Sequence, residues 1–303
     1  MMRRGLLIGS IGLLALCSCA KVPKLVVAGS GWNKIAIVDK KSKQVEWTHQ
    51  LDDNTECNSV IVVPGSKIAY SYRDGVRMIN ADQQVVWDYK LQKKGEVHSV
   101  TQLPNGGFLL AASGSPALLI ELDANGREVK KVKFDGGCEN MHGQLRQAAK
   151  SKNGNYIIPL LSRRLILELD PAGVVVAEYP LPQSPFSVME LPSGNLIASC
   201  GDGHFFVEIE RKSGQIIRQV DESAFSEKEI MHYVAQMIPL KNGNLLLCNW
   251  NGHFKKGETK QIPHLIEFDK KYNIVWRLDD FENIQKVSAG FYVEDGKHLK
   301  FKK

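Results

Sequence analysis

Asn58-Ser59-Val60-Ile61-Val62-Val63-Pro64-Gly65 is a phrase that this chain repeats. It returns as His98-Ser99-Val100-Thr101-Gln102-Leu103-Pro104-Asn105-Gly106 and as Phe186-Ser187-Val188-Met189-Glu190-Leu191-Pro192-Ser193-Gly194. A looser copy runs His232-Tyr233-Val234-Ala235-Gln236-Met237 and reaches its turn at Asn242-Gly243; another ends at Asn153-Gly154. Glycines at 65, 106, 154, 194 and 243 set a period of 40 to 49 residues. A period of that length built from short strands marks a β-propeller, in which each repeat is one small sheet that buries its faces only against its neighbours. Propellers host many unrelated functions, so the architecture does not name the chemistry.

After each turn glycine come a short apolar run, a polar loop and a second apolar run that ends in a polar residue. One copy reads Phe108-Leu109-Leu110-Ala111-Ala112, then Ala117 to Asp123, the turn Ala124-Asn125-Gly126, and Arg127 to Val132. Asn-Gly and Asp-x-x-Gly between apolar runs signal hairpins, because Asn and Gly tolerate the positive φ these turns need. The second turn recurs at Asp39, Asn80, Asp123, Asp170, Glu210 and Asp269, which indicates six blades of four strands. Fourth strands carry an aromatic: Trp47, Trp87, Tyr179 and Trp276. Their recurrence at one place in the repeat reads as packing between neighbouring sheets rather than ligand stacking.

The first blade is incomplete. Lys24 to Ala28 resembles a second strand with no first strand before it, and Ser288 to Gly296 resembles a first strand with no second after it. Joined, they make one blade and remove the exposed edges of an open array. The expected fold is therefore all-β: a six-bladed β-propeller of four-stranded antiparallel blades, its first blade closed by a C-terminal strand. Residues 24–296 form that single domain, and 297–303 form a basic tail expected to be solvated.

The first eighteen residues read as a signal peptide. Arg3-Arg4 precede an apolar run from Gly5 to Leu16, which is too short to span a bilayer. Leu16-Cys17-Ser18-Cys19 resembles a bacterial lipobox, which implies cleavage before Cys19 and lipidation of its thiol, with 19–23 as a linker. Cys17 fits less well, because Leu16 stands where a small residue is preferred. The alternative is a plain secreted protein. The expected location is the cell envelope, with the protein anchored to a membrane on the periplasmic side or at the cell surface; multiple acyl chains suffice for stable anchoring.

Net charge is +6, and +4 without Arg3 and Arg4, which is too mild to argue for nucleic acid. Cys200 and Cys248 hold matching places in neighbouring repeats and read as small buried hydrophobes. Cys57 and Cys138 lie near blade starts, and a bridge between them stays open in an oxidising compartment. No CxxC or HxxxH spacing occurs, so no cofactor is expected, and neither PQQ nor a metal ion has a supporting motif.

Antiparallel order nominates a site. The starts of innermost strands and the loops between second and third strands lie on one face, at the mouth of the central channel. Blade starts bring Glu56, Cys57 and Asn58; Glu96 and His98; Glu139, Asn140, His142 and Arg146; Phe186; Glu229 and His232. The loops bring Trp32 and Asn33; Arg73 and Asp74; Ser113 and Ser115; Arg163 and Arg164; Asp202 and His204; Trp250, Asn251 and His253. The opposite loops carry ordinary turn residues. Candidate ligand contacts are Trp32, Arg73, His98, His142, Arg163, Arg164, His204, His232, Trp250 and His253. His98, His142 and His232 come from the third, fourth and sixth blades. They read as hydrogen-bonded structural imidazoles, as ligand contacts or proton carriers, or as zinc ligands that would have to converge across the channel. Asp221 to Ile230 does not read as a strand; Ser226 and Glu229 have capping-box spacing, which suggests a short helix over this face.

The repeats resemble quinoprotein (PQQ-like) propellers, whose blades often end in a phrase like Val85-Val86-Trp87. The His-x-x-x-x-Leu-Pro-Asn-Gly opening at His98 is also similar to bacterial arylsulfotransferase propellers, which use channel histidines and an arginine. That resemblance implies His98, His142, His232 and Arg164 as catalytic candidates. The long N-terminal domain of the sulfotransferases and the vicinal cysteines of the PQQ dehydrogenases are absent from this sequence. Two functions follow: an envelope lipoprotein binding a small anionic molecule or an envelope protein at the top face, or an enzyme acting on an anionic substrate, sulfotransferase-like or hydrolase-like.

Overall fold

The computed structural model describes residues 21–52, 55–225, 230–254 and 261–301. Six four-stranded antiparallel sheets follow one another around a ring. Blade two runs Val60–Val63, Lys67–Tyr72, Gly75–Ile79 and Val85–Lys90, and the later blades repeat the order. The seam closes as the half-repeats require. Val26 pairs with Ile37 on one side and with Phe291 on the other, so Ala289–Val293 supplies the innermost strand of blade one.

The core lies between blades. Six apolar clusters each join residues of two neighbouring sheets. Second and third strands are buried on both faces, which is why they read as continuous apolar runs. The outer aromatics pack: Trp47 is buried between blades one and two, the Trp87 ring meets Phe108 at 5.2 Å, and Trp276 Nε1 donates to the Lys40 carbonyl at 3.1 Å. The recurring turn acid has a local task. Asp123 Oδ1 accepts from the backbone N–H of Asn125 (2.8 Å) and Arg127 (2.9 Å), and Asp269 Oδ1 does the same for Lys271 and Asn273.

The serine of the repeated phrase stitches blades. Ser59 Oγ donates to the Val100 carbonyl (3.0 Å) and accepts from its N–H (3.1 Å), joining blades two and three. Ser187 Oγ donates to the Ala235 carbonyl (3.1 Å) and accepts from Met237 N–H (3.0 Å), joining blades five and six. Around the channel, Gln147 donates to the Asn58 carbonyl and to Gln236 Oε1, which accepts from Gly290 N–H at 2.7 Å. Innermost strands of blades one, two, four and six are thereby tied across the axis.

Three details differ from or resolve the sequence reading. Cys57 and Cys138 are free thiols, as are Cys200 and Cys248. Burial pushes the Cys57 thiol up to about 12, whereas Cys138 Sγ donates to the Asn140 carbonyl at 3.2 Å. The tail is not simply solvated. Gly296–His298 form one 3-10 turn, Lys300 N–H donates to Ser66 Oγ at 2.9 Å, and the Phe301 ring sits 4.9 Å from Trp47, because an aromatic at that position finds apolar cover. Among the described residues after blade five, Glu222–Ala224 form a 3-10 turn capped by Asp221, and Phe225 then fills the core between blades five and six. Ser226 and Glu229 lie outside the described residues. No described helix is long and apolar enough to cross a membrane.

Candidate functional site

Blade four enters irregularly. Asn140 caps a 3-10 turn, Met141–Gly143, its side chain accepting from His142 N–H at 3.2 Å. The turn presents His142 to solvent and carries the chain inward at once, so Arg146 is 7% exposed below it. Arg146 donates to the carbonyls of His142 (2.6 Å) and Leu145 (2.8 Å) and to His142 Nε2 (3.0 Å). A guanidinium has five donors, so these bonds do not exhaust it. Among the described residues the nearby carboxylates, Glu56 and Glu96, contact His142 and His98 rather than Arg146. Burial pulls the guanidinium below its ordinary value.

Arg146 borders a cavity of about 320 Å³ at the mouth of the channel. Phe186, Tyr233 and Trp250 form an aromatic wall; Asn58, Ser184, Asp202 and His253 add polar groups. Trp250 is fixed by its Nε1, which donates to the Ser30 carbonyl at 2.9 Å, and its ring lies 5.3 Å from Tyr233. His253 Nδ1 meets Asp202 Oδ1 at 2.8 Å. A wider opening adjoins the cavity, sharing Ser30, Glu56 and His142 and adding Asn33, Arg73 and Glu96.

Glu96 organises two histidines. Its Oε2 lies 3.0 Å from His142 Nδ1 and 3.5 Å from His98 Nε2. Contacts with His98 and then His142 hold the Glu96 carboxyl down at about 2. His98 is 1% exposed, and burial brings its imidazole down to about 4, which keeps it neutral at neutral pH. Its ring is 6.1 Å from that of His142. Ligand atoms of Glu56, Glu96 and His142 lie within 4.8 Å of one another. That spacing suits a cation, but the proton inventory does not. Arg146 occupies His142 Nε2 as a donor, so Nδ1 carries the ring proton and offers no lone pair to a metal.

Of the ten residues nominated from sequence, His142, Trp250 and His253 line the cavity and Arg73 lines the adjoining opening. His98 sits behind Glu96, out of solvent. Trp32 is buried in the core between blades one and six. His204 and His232 form a separate group, in which His204 Nδ1 contacts the His232 carbonyl and the His232 ring lies 4.0 Å from Phe254. Arg163 turns outward to Glu178 on the outermost strand (2.8 Å), and Arg164 is exposed at a positive φ of 51° without lining the cavity. The three histidines thus do not converge: two share a carboxylate, and the third packs elsewhere. Tyr233 and Ser184 went unnominated. Tyr233 stands next to His232 on an innermost strand, so strand alternation would have pointed to one or the other.

Fold and site together define a six-bladed β-propeller with a polar channel mouth floored by a buried arginine. The chain belongs to the Mal s 1 allergenic protein-like family, whose model matches residues 30–273. It is similar to a protein of unknown function from Bacteroides caccae, with 34% identity over 90% of this chain and 100% of that one and a TM-score of 0.85. It also superposes on a streptogramin B lyase (15% identity, 83% and 78% of the two chains, TM-score 0.58). A catalytically inactive virginiamycin B lyase from Staphylococcus aureus superposes with 11% identity over 89% and 88% of the chains and a TM-score of 0.57. Likeness at those identities shows the fold alone. No curated protein matches the sequence significantly. The likeness to quinoprotein and arylsulfotransferase propellers rests on the repeat phrases only.

Proposed function

We propose that this protein is a membrane-anchored lipoprotein of the cell envelope whose channel mouth binds a small anionic molecule. The observation that carries the binding reading is Arg146: a permanently charged group, nearly buried, bordering the cavity and making no direct ion pair with a carboxylate among the described residues, although Glu56 and Glu96 stand nearby. A buried charge costs several kcal/mol unless it is paired, and an entering carboxylate, sulfate or phosphate supplies the missing partner through charge-assisted hydrogen bonds. The aromatic wall of Tyr233 and Trp250 suits an apolar or planar body behind the anionic group. The cavity size favours a small molecule over a protein segment. No cofactor enters this reading.

The anchor reading rests on Arg3-Arg4, the apolar run and Leu16-Cys17-Ser18-Cys19; Cys19 lies outside the described residues. Replacing Cys19 by Ala should abolish incorporation of radioactive palmitate. For the site, sulfate and benzoate titrated into the protein should raise its melting temperature saturably, since a ligand of the folded state alone stabilises it by mass action. Arg146→Gln should remove the response and Arg146→Lys should retain part of it. An Arg146→Gln protein that folds and responds like wild type ends the binding reading.

A further inference from the structure

We infer that the face opposite the channel mouth lies against an anionic membrane surface, so that the binding cavity points away from the bilayer. The inference takes its attachment point from the lipid anchor proposed above, but its geometry is independent of it. Innermost strands run away from the mouth and second strands return, so Lys24, which opens a second strand, stands at the far face. The chain ahead of it is fastened there. Lys21 pairs with Glu294, Val22 N–H donates to Asp295 Oδ1 at 3.4 Å, and Gly296 N–H donates to the Val22 carbonyl at 2.7 Å. Cys19 precedes Lys21 by two residues, and at roughly 3.5 Å per residue its Cα lies no more than about 7 Å from that fastening. Acyl chains on Cys19 therefore leave from the far face on a tether too short to let the mouth roll onto the membrane.

The charge of that face fits the same partner. Its turns expose Lys41, Lys152, Lys241, Lys270, Lys271 and Lys297. Acids share those turns: Lys241 pairs with Glu294 at 3.3 Å and Lys152 approaches Glu190 at 3.9 Å, whereas Lys41, Lys270 and Lys271 make no ion pair among the described residues. The mouth carries both signs around its cavity, with Glu56, Glu96 and Asp202 beside Arg73 and Arg146. Lysines spread over a face that is already tethered add favourable contacts with anionic headgroups, each acting within a Debye length.

The test uses the full processed lipoprotein reconstituted into vesicles of phosphatidylcholine alone or of phosphatidylcholine with phosphatidylglycerol. Lysine acylation by a water-soluble reagent is followed by mass spectrometry. Lys41, Lys241, Lys270 and Lys271 should react several-fold more slowly on the anionic vesicles than in detergent, and high salt should restore their rates. Lys93 and Lys94, on the mouth side, should react equally in both. Unprotected far-face lysines, or protection of Lys93 and Lys94 instead, overturns the inference. Flotation with the neutral vesicles reports the anchor separately. Protein that floats with them without lysine protection refutes this orientation alone. Protein that fails to float with them yet is protected on anionic vesicles refutes the anchor alone, and failure of both readouts refutes both.

Discussion

Arg146 donates to Nε2 of His142 across 3.0 Å, and this contact fixes which ring nitrogen of His142 holds the proton. A guanidinium only donates, so Nε2 accepts and Nδ1–H points to Glu96. Glu96, His142 and Arg146 therefore form one hydrogen-bonded chain, with Glu56 3.8 Å from His142 Nδ1 beside it. The expected outcome of titrating zinc or manganese into the protein is no saturable binding, and nitrogen-15 spectra should show the Nδ1–H tautomer of His142. Stoichiometric zinc binding that His142→Ala abolishes would reverse the proton assignment and make this a metal centre.

Acid should weaken the fold through His98. Its imidazole is brought by burial from 6.5 to about 4, and the groups facing it are Glu96, His142, Arg146 and Asn58. A depressed histidine value means that the unfolded chain takes up the proton first. The contribution is fully present above the unfolded value and is lost as pH falls from 6.5 towards 4. At 1.36 kcal/mol per unit it amounts to about 3 kcal/mol. Glu96 acts lower: its value falls from 4.5 to about 2, so its stabilisation is present above 4.5 and is lost below that. Urea unfolding at neutral pH and near pH 4 should show the loss, and His98→Gln should flatten it. An unchanged slope in that variant would mean that His98 is not the group responsible.

The blades were legible because their turns demand particular residues. Only Gly, Asn and Asp serve cheaply at positive φ or bond back to their own backbone, so Gly65, Gly106, Asp123 and Asp269 repeat where the hairpins repeat. The half-blade was legible because Val26 and Phe291 each lacked a partner strand. The site was less so. His98 and His232 align in the phrase, yet one is buried behind Glu96 and the other packs on Phe254. The register shifts between Val97 and Ser99 and again between Val234 and Met237, and such a bulge re-aims side chains in a way that alignment does not convey. Arg163 and Arg164 stood in a loop on the right face, but residue type does not say whether a loop side chain turns to the axis or to the rim. Arg146 stood among the blade starts but not among the candidate contacts, because blade four departs from the repeat there and alignment does not show that its side chain turns under the mouth.

The closure of the ring is tightest at Gly29, and that predicts a severe effect from one methyl group. A Cβ there would lie 1.7 Å from the Lys286 carbonyl oxygen and 2.8 Å from Ser288 N. Those are backbone atoms, and they cannot step aside as a side-chain end would. Ser288 N–H donates to the Ala28 carbonyl at 3.1 Å, and Ser30 N–H donates to Ser288 Oγ at 3.2 Å, so the two chain ends are clamped on either side of the glycine. Gly29→Ala should push the C-terminal strand off blade one and cost more than about 3 kcal/mol, beyond the usual range for overpacking. Gly194 is the control: nothing lies within 4 Å of its Cβ position, and its φ is +89°, so Gly194→Ala pays only the local backbone cost of about 1–2 kcal/mol. Urea unfolding reads the stability, and limited proteolysis reads release of the strand by new cuts between residues 284 and 290. Equal stability of the two alanine variants would show that the seam gives way at no cost, and that ring closure does not depend on this contact.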